Sequence, residues 1–379
     1  MSTILRTALN STARGKRIQR PVFPPRIAIG VERHKSTRLM SSSENLPGSS
    51  EKFDKETYEK ERAELDGKAR QSMQTQAATI ESVEEAAPGS VAGAWKWAIR
   101  KRVWDFMEEN NIARMPRPVH HRIPNFDGAD RAADRLAQLP EFQSAQCIKV
   151  NPDTPQKPVR FHVLNSGKTL LTPQPRLRTG FFSSLNKLSV PSQSSREACT
   201  SAGVQKFGSP LGLNADVKVD LVLVGSVAVH PVTGARIGKG EGFAELEYGI
   251  LRWMGAISDK TLVITTIHDE QIAEDLPSDK LLEHDVPVDV IVTPTQVIWT
   301  TPTKEKPSGI LWHKLSPEKL SQIRVLRELK ARIEEEQGVT LPTGPSEQLP
   351  PVAKRGNRGG RGGRRGRGRG GRGRGAPTT

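Results

Sequence analysis

Residues 220–255, DLVLVGSVAVHPVTGARIGKGEGFAELEYGILRWMG, decide the fold class of this 379-residue chain. Positions 221–229 form an almost unbroken run of β-branched and aliphatic residues, which is typical of a strand buried on both faces of a parallel sheet. Glycines then alternate with charged residues up to Gly242, and apolar residues at helical spacing follow from Phe243. The stretch therefore predicts a strand, a glycine loop and a helix.

The glycine loop predicts a binding site for an anion. Gly238, Gly240 and Gly242 have no side chains, so the backbone can come close to a ligand, and the amides at the start of the next helix favour negative charge. We expect a nucleotide phosphate there, with Lys239 beside it. Glycines at this spacing also occur in ordinary tight connections, so the pattern alone leaves both interpretations open.

The surrounding chain alternates between predicted strands and helices. Strand patterns occur at 147–150, 159–165, 169–172, 217–229, 261–267 and 288–292. Helical patterns occur at 129–139, 194–202, 243–255 and 317–336. A further helix, capped by Ser90, is expected to end at Asn110 and Asn111. This order predicts an α/β fold with a mostly parallel sheet that helices cover on both faces.

Ligands of such sheets bind beyond the carboxyl ends of the strands. Arg176 and Arg178, His268 and Asp269, and residues 293–295 all follow predicted strands, so we expect them to surround one crevice with the glycine loop. His268 and Asp269 are also a candidate acid/base pair.

The adjacent histidines His120 and His121 are weaker candidates for a metal site. Neighbouring side chains diverge on a regular element, so helix-capping or packing roles are favoured over metal binding. Cys147 and Cys199 are the only cysteines and lack a ligand pattern, so no zinc is expected.

Residues 236–245, RIGKGEGFAE, resemble the signature R-[LI]-G-x-G-K-G-[YF]-[YF]-D of the 5-formyltetrahydrofolate cyclo-ligase family. The segments IRKRVWDFMEENN, PRPVHHRIPNF, KTLLTPQPRLRTGFF and HDVPVDVIVTPTQVI are similar to a divergent branch of that family, the methenyltetrahydrofolate synthase domain-containing proteins. The resemblance spans roughly residues 95–315. It implies a three-layer α/β/α sandwich, akin to sugar-phosphate isomerases and CoA transferases.

The resemblance also implies a reaction and its ligands. ATP phosphorylates the formyl oxygen of 5-formyltetrahydrofolate, and ring closure with loss of phosphate gives 5,10-methenyltetrahydrofolate, so ATP and Mg²⁺ are expected with folate as the substrate. Lys96 and Arg100 would reach the phosphates from the first helix, although their spacing also fits a solvated basic edge. Arg236 and Glu245 are the candidate catalytic residues, with Glu245 as the candidate magnesium ligand.

Three departures from the signature change the expected activity. Glu241 replaces the lysine between the second and third glycines, Ala244 replaces the second aromatic residue, and Glu245 replaces the aspartate. A carboxylate beside a triphosphate repels it. The sequence therefore favours a divergent member with weak or absent standard activity. An active ATP-dependent cyclo-ligase, and a different activity on a phosphorylated or folate-like ligand, stay open as alternatives.

The net charge of +15 is concentrated at the two ends of the chain. Residues 1–40 contain nine Lys or Arg and one acid, and have no apolar run long enough for a secretory signal. This composition is typical of a mitochondrial transit peptide; a plastid address and the basic N-terminus of a cytosolic protein are alternatives.

The C-terminal stretch 354–379, KRGNRGGRGGRRGRGRGGRGRGAPTT, is an RGG tract. Its guanidinium groups can pair with phosphates and stack on bases, and its glycines predict an unfolded, adaptable segment. We expect RNA to bind non-specifically to its arginines, Arg355, Arg358, Arg361, Arg364, Arg365, Arg367, Arg369, Arg372 and Arg374. A purely solubilising tail is the alternative.

With only 35% hydrophobic residues and 28 prolines, a good part of the chain is not expected to form a core. The predicted organisation is a transit-peptide-like arm at 1–40, a polar linker at 41–87, a cyclo-ligase-like domain at 88–338, a proline-rich linker at 339–353 and the RGG tail at 354–379. No stretch approaches the roughly 20 apolar residues of a membrane span. The sequence does not determine the oligomeric state.

Overall fold

The computed structural model describes residues 54–91, 93–174, 180–212 and 214–347. The predicted arm at 1–40, the tail at 354–379, and both Arg176 and Arg178 lie outside the described residues.

Ten α-helices and ten β-strands lie within the described residues. The helices are α1 (Lys55–Ala86), α2 (Ala94–Glu109), α3 (Ala129–Ala137), α4 (Pro140–Ser144), α5 (Lys157–Asn165), α6 (Ser195–Ala198), α7 (Ser201–Phe207), α8 (Phe243–Trp253), α9 (Pro317–Gln322) and α10 (Arg324–Gln337). The strands are β1 (Cys147–Val150), β2 (Thr169–Pro173), β3 (Phe182–Leu185), β4 (Ser209–Leu211), β5 (Leu221–Val224), β6 (Ala228–Val229), β7 (Arg236–Ile237), β8 (Leu262–Thr266), β9 (Val290–Val292) and β10 (Val297–Trp299).

The main sheet of the described chain has eight strands in the order β10-β9-β8-β5-β1-β2-β3-β4. Its five central strands are parallel, because β1 pairs with β2 and β5, and β8 pairs with β5 and β9. The pairings of β9 with β10, β2 with β3, and β3 with β4 are antiparallel. The prediction of a mostly parallel sheet is confirmed.

Helices cover both faces of this sheet. Along β5, Val222 and Val224 belong to a core that includes α8, α9 and α10, whereas Leu221 and Leu223 belong to a core that includes α3, α4 and α5. Successive side chains of a strand point to opposite faces, so a strand between two helical layers needs apolar residues at every position. The predicted three-layer α/β/α sandwich is therefore confirmed.

The apolar run 221–229 is interrupted and is not one strand. After β5 the chain leaves the sheet, and β6 pairs with β7 in a small antiparallel hairpin. At Gly225 a Cβ atom would lie 2.9 Å from the Ile123 side chain, so only glycine fits this close approach. The hairpin packs with α2 in a third core and leads directly into residues 238–242, the glycine loop.

Residues 159–165 belong to helix α5, so the predicted strand is wrong. Val159 and Val163 are four residues apart and are both buried against the sheet, which is the helical spacing. Pro158 lies in the first turn, where its missing N–H breaks no intrahelical bond. A short apolar run fits both the strand and the helix period, and the packing decided between them.

Two predicted helices are each divided. The pattern at 194–202 becomes α6 and α7, because the Thr200 hydroxyl accepts a hydrogen bond from the Gly203 N–H and starts a new helix. The pattern at 317–336 becomes α9 and α10, separated at Ile323, whose backbone is not helical. The Ile323 side chain is nonetheless buried, so the hydrophobic stripe continues across the break.

The N-terminal helices differ from their predictions. Ser90 does not cap α2; Gly93, in the left-handed conformation, precedes its first residue. Within the predicted linker, α1 is a 32-residue helix capped by the Asp54 carboxylate, and its Ala69 and Met73 are buried. No helix in the described ranges, α1 included, is long and apolar enough to cross a membrane.

Candidate functional site

A cavity of about 440 Å³ borders the carboxyl ends of three parallel strands. Asn151, Gln174 and Gly225 line it and directly follow β1, β2 and β5. The glycine loop and parts of α1 and α2 complete its walls. Ligands of parallel α/β sheets bind at this edge, so the cavity is the candidate ligand site.

The backbone of the glycine loop adopts conformations that favour glycine. Gly240 and Gly242 have φ values of +105° and +72°, which residues with side chains rarely adopt. A Cβ atom at Gly240 would lie 3.3 Å from the ring of Trp97. Gly242 precedes α8 without a capping side chain, and Phe243 lines the cavity. The uncapped first turn of α8 therefore borders the cavity.

The two charged residues of the glycine loop bind each other. Lys239 Nζ lies 2.8 Å from Glu241 Oε2, and both residues line the cavity. Burial opposes the charged lysine, but attraction to the carboxylates of Glu241 and Asp153 and the hydrogen bond to Glu241 together raise the pKa of Lys239. The lysine therefore stays protonated, and its charge is neutralised within the loop.

Lys96 and Arg100, the predicted phosphate-binding residues of α2, line the cavity but are already engaged. Lys96 Nζ donates to the Asp285 carboxylate oxygens at 2.7 and 2.6 Å. Arg100 Nε donates to the Gly238 carbonyl at 2.8 Å, and its guanidinium lies 4.4 Å from the centroid of the Trp97 ring. Burial lowers the pKa of Arg100 to about 10. Arg100 therefore braces the glycine loop, Lys96 is held by Asp285, and the two do not form a solvated basic edge.

The two candidate catalytic residues, Arg236 and Glu245, are bound to one another. Arg236 Nη2 donates to Glu245 Oε1, Nη1 donates to the Gly225 carbonyl at 2.7 Å, and Nε donates to the Val286 carbonyl at 3.3 Å. The Arg236 side chain is only 1% exposed. It positions the residues around the loop, and it occupies an oxygen of Glu245.

The described residues do not fit a magnesium ion held by the protein alone. Nowhere in the described ranges do three His, Cys, Asp or Glu side chains converge into a group that could hold a metal. One oxygen of the candidate ligand Glu245 is bonded to Arg236. Mg²⁺ requires oxygen ligands in near-octahedral geometry, which this pairing does not supply.

A buried ionic network that the sequence analysis missed lies at the wall of the cavity. Lys149 Nζ donates to Asn151 Oδ1 and Glu247 Oε2, both at 2.7 Å, and Asn151 and Glu247 line the cavity. Burial raises the pKa of Glu247, and attraction to Lys149 opposes the rise. The sequence signal was a charged residue inside an otherwise apolar strand, CIKV, and another inside α8.

Arg70 and Arg122, which the sequence analysis missed, form a second group with His121, and all three line the cavity. Their atoms Arg70 Nε, His121 Nδ1 and Arg122 Nε are buried and make no hydrogen bond to any described residue. Burial and repulsion from nearby cations lower the pKa of both His121 and Arg122. His120, by contrast, has a packing role. Its Nε2 lies 2.8 Å from Asp105 Oδ1, and its ring lies 5.9 Å from the ring of Trp104, measured between centroids.

His268 and Asp269 are not among the residues that line the cavity, so the expectation of a shared crevice is not met. His268 Nδ1 accepts from the Glu270 N–H at 3.2 Å in a short 3₁₀ turn. Asp269 Oδ1 accepts from the hydroxyls of Thr293 and Thr295 at 2.6 and 2.5 Å. The bonds of Asp269 connect the segment that follows β8 with the segment that follows β9.

Comparison with known proteins agrees with the signature in the glycine loop. A sequence model of the 5-formyltetrahydrofolate cyclo-ligase family matches residues 92–294. The methenyltetrahydrofolate synthase domain-containing protein of Bos taurus is 51% identical to this chain over 270 residues, and that of Mus musculus is 51% identical over 264 residues. The alignments cover 70% and 68% of this chain and 69% of each relative. The Danio rerio relative is 45% identical over 250 residues, which are 65% of this chain and 64% of the relative.

Two solved structures of 5,10-methenyltetrahydrofolate synthetases were also matched. That from Aquifex aeolicus is 23% identical with a TM-score of 0.35, covering 54% of this chain and 92% of the other. That from Mycoplasma pneumoniae is 12% identical with a TM-score of 0.31, covering 52% of this chain and 97% of the other. On the family match and the identity to the bovine and mouse relatives, this chain belongs to the 5-formyltetrahydrofolate cyclo-ligase family, in the branch of methenyltetrahydrofolate synthase domain-containing proteins.

Proposed function

We propose that this protein binds a reduced folate in the cavity and performs ATP-dependent ring closure of 5-formyltetrahydrofolate weakly or not at all. Membership of the family supports the folate. The low expected activity follows from the ion pair between Lys239 and Glu241 in the glycine loop.

The cyclo-ligase reaction needs positive charge at the glycine loop. When ATP phosphorylates the formyl oxygen, negative charge spreads over the oxygens of the transferring phosphoryl group. Cations fixed at that position stabilise the transition state more than they stabilise bound substrate. Here Glu241 stands in place of the signature lysine, and the remaining Lys239 is bound to it.

Two further cations beside the loop are also occupied. Lys96 is held by Asp285, and Arg236 is held by Glu245 and two backbone carbonyls. A triphosphate would have to displace such bonds or rely on the loop amides and the first turn of α8. Displacing a satisfied ion pair costs free energy and so makes binding less favourable. We therefore expect weak nucleotide binding and slow turnover.

The purified full-length protein, titrated with 5-formyltetrahydrofolate and Mg-ATP, tests the proposal. We expect calorimetric binding of the folate, and little growth of the methenyl absorbance band compared with a reaction lacking ATP. Rapid ATP-dependent methenyl formation would instead establish an active cyclo-ligase. Failure to bind the folate would point to a different phosphorylated or folate-like ligand.

We also propose that residues 354–379 bind RNA non-specifically. The support is compositional: ten Lys or Arg and no acid lie in this tract. Guanidinium groups bind phosphates bidentately and stack on bases, whereas glycines contribute no side chain for reading sequence.

We further propose that residues 1–40 direct the protein to mitochondria, because they are rich in Arg, Ser and Thr and contain one acid. Fused to a fluorescent reporter, they should bring it to mitochondria in cells. The matched control carries Arg6, Arg14 and Arg17 changed to glutamine and should stay in the cytosol. A reporter that is cytosolic with the natural arm would contradict mitochondrial targeting, and a plastid location would reassign the address.

A further inference from the structure

Helix α1 completes the ligand cavity, and we propose that its Arg70, together with Arg122, binds the carboxylates at the glutamyl end of a reduced folate. This inference rests on the proposed function for the identity of the ligand. It assigns a binding role to a helix that precedes residues 92–294, the part of the chain that matches the family.

Helix α1 is part of the cavity wall. Asp66, Ala69 and Arg70 line the cavity from successive positions of one helical face. Ala69 and Met73 are buried and anchor that face to the body of the domain. Residues three and four apart share a face of a helix, so the side of α1 that packs also presents Arg70 to the cavity.

Arg70 and Arg122 differ from the cavity cations near the glycine loop because no acceptor holds them. Among the described residues, neither guanidinium has a hydrogen bond or an ion pair, and the Nε atom of each is buried. Asp66 is close to this group, but its ion-pair partner is Arg62, at 3.9 Å. Two half-buried guanidinium groups that line a cavity and have no acceptor among the described residues form an incomplete site, because each has donors that burial removes from water.

The position of this pair indicates which end of the ligand it meets. Gly240 of the glycine loop lies against Trp97, and the Trp97 ring lies next to His121, with ring centroids 6.2 Å apart. Arg122 follows His121 in the chain, so the cavity wall runs from the glycine loop past Trp97 to the arginine pair. For the proposed reaction, the formyl group must face the glycine loop, where the phosphates of ATP would bind. The glutamyl carboxylates are then at the opposite end of the folate.

The test uses the full-length protein with Arg70→Gln and Arg122→Gln. Lys68→Gln is the matched control, since it removes one charge from the exposed face of α1. Calorimetry with 5-formyltetrahydrofolate as monoglutamate and as triglutamate should show about tenfold weaker binding for each arginine variant, with the larger loss for the triglutamate. The control should bind both as the natural protein does, and Mg-ATP affinity should be unchanged in every variant.

Two results would overturn the inference. Folate affinities equal to those of Lys68→Gln would show that the arginines do not bind the ligand, once circular dichroism confirms that each variant is folded. A loss of Mg-ATP affinity instead of folate affinity would assign the pair to phosphates.

A further arm separates this inference from the proposed function. Free γ-linked triglutamate should raise the Tm of the natural protein more than that of Arg70→Gln. If the natural protein bound this peptide but no folate, the carboxylate subsite would stand and the proposed function would fail. If it bound neither, the subsite would be refuted as well.

Discussion

Glu241 changes the charge of the glycine loop twice, because it removes the signature lysine and binds the lysine that remains. Lys239 and Glu241 lie 2.8 Å apart, and together they carry no net charge towards the cavity. In a partly desolvated site, exchanging an attractive charge for a repulsive one is worth on the order of several kcal/mol. We therefore expect the residue at position 241 to have a large effect on the affinity of the glycine loop for a triphosphate.

Glu241→Lys should raise the affinity for Mg-ATP by about a hundredfold, because it removes a repulsive charge, adds an attractive one and frees Lys239. Calorimetry on the purified proteins measures it. Full restoration of turnover is not expected, since Ala244 and Glu245 also depart from the signature. Glu274→Lys, the same change at an exposed position away from the cavity, is the control. Equal affinities in the natural protein and Glu241→Lys would show that Glu241 does not face the phosphates.

Asp269 should make stability depend on pH. Burial would raise its pKa, but hydrogen bonds from Thr293, Thr295 and Gln296 outweigh burial and lower it. A carboxyl whose folded pKa is depressed stabilises the protein above its unfolded pKa of 3.8, and this stabilisation is lost as the pH falls through the folded value. Asp269→Asn should therefore lower the free energy of unfolding by about 1 kcal/mol at pH 7, and by less at pH 3.

Urea unfolding of the natural protein and Asp269→Asn at the two pH values measures this difference. Asp279→Asn, the same change at an exposed position, is the control. A destabilisation of Asp269→Asn that is the same at pH 7 and pH 3 would contradict the role of the charge.

At the scale of elements, glycine has opposite effects on stability in α1 and in the glycine loop. Gly67 lies within a helix and has open space around it, whereas Gly240 has a φ of +105° and lies against Trp97. In the helix, glycine costs backbone entropy that alanine does not. In the loop, a side chain would impose both strain and a close contact.

Gly67→Ala should raise the free energy of unfolding by up to about 1 kcal/mol, and Gly240→Ala should lower it by about 1–3 kcal/mol. Chemical denaturation followed by circular dichroism measures both, and each variant serves as the other's control for the added methyl group. Effects of the same sign would show that backbone conformation does not govern these positions.

At the scale of the whole molecule, the net positive charge belongs to the two ends of the sequence and not to the residues between them. Residues 1–40 and 354–379 together carry a net charge of +18, so the rest of the chain is close to −3. A body of this charge has little long-range attraction for a polyanion, whereas a basic tract releases counterions when it binds one.

A protein ending at Ala353 should therefore lose most of its RNA affinity, and binding by the full chain should fall steeply as salt rises. Filter binding or fluorescence anisotropy with an unstructured RNA measures both. The control is the full chain with its nine tail arginines changed to glutamine, which keeps the length and removes nine of the ten positive charges. Undiminished binding by the truncated protein would place the RNA site on the domain.

The sequence by itself determined the fold class, the parallel core strands, the glycine loop and the family. These features depend on local patterns, because a strand buried on both faces needs continuous apolar residues and a phosphate loop needs glycines at set positions. The antiparallel strands β3, β4 and β10 were missed, since strands of three or four residues are too short to show a distinctive period. For α5 the local pattern was ambiguous, and burial of one face against the sheet selected the helix.

Only the tertiary structure decided which charges are available to a ligand. Lys96 meets Asp285 from 189 positions away, and Lys149 meets Glu247 from 98 positions away, so no local pattern could reveal that these cations are neutralised. The role of Arg70 also depends on the tertiary structure. The sequence of its helix is typical of a polar linker, and only packing of the helix against the domain places the guanidinium at the cavity. Electrostatic pairing depends on distance in space, which the chain sets only when it folds.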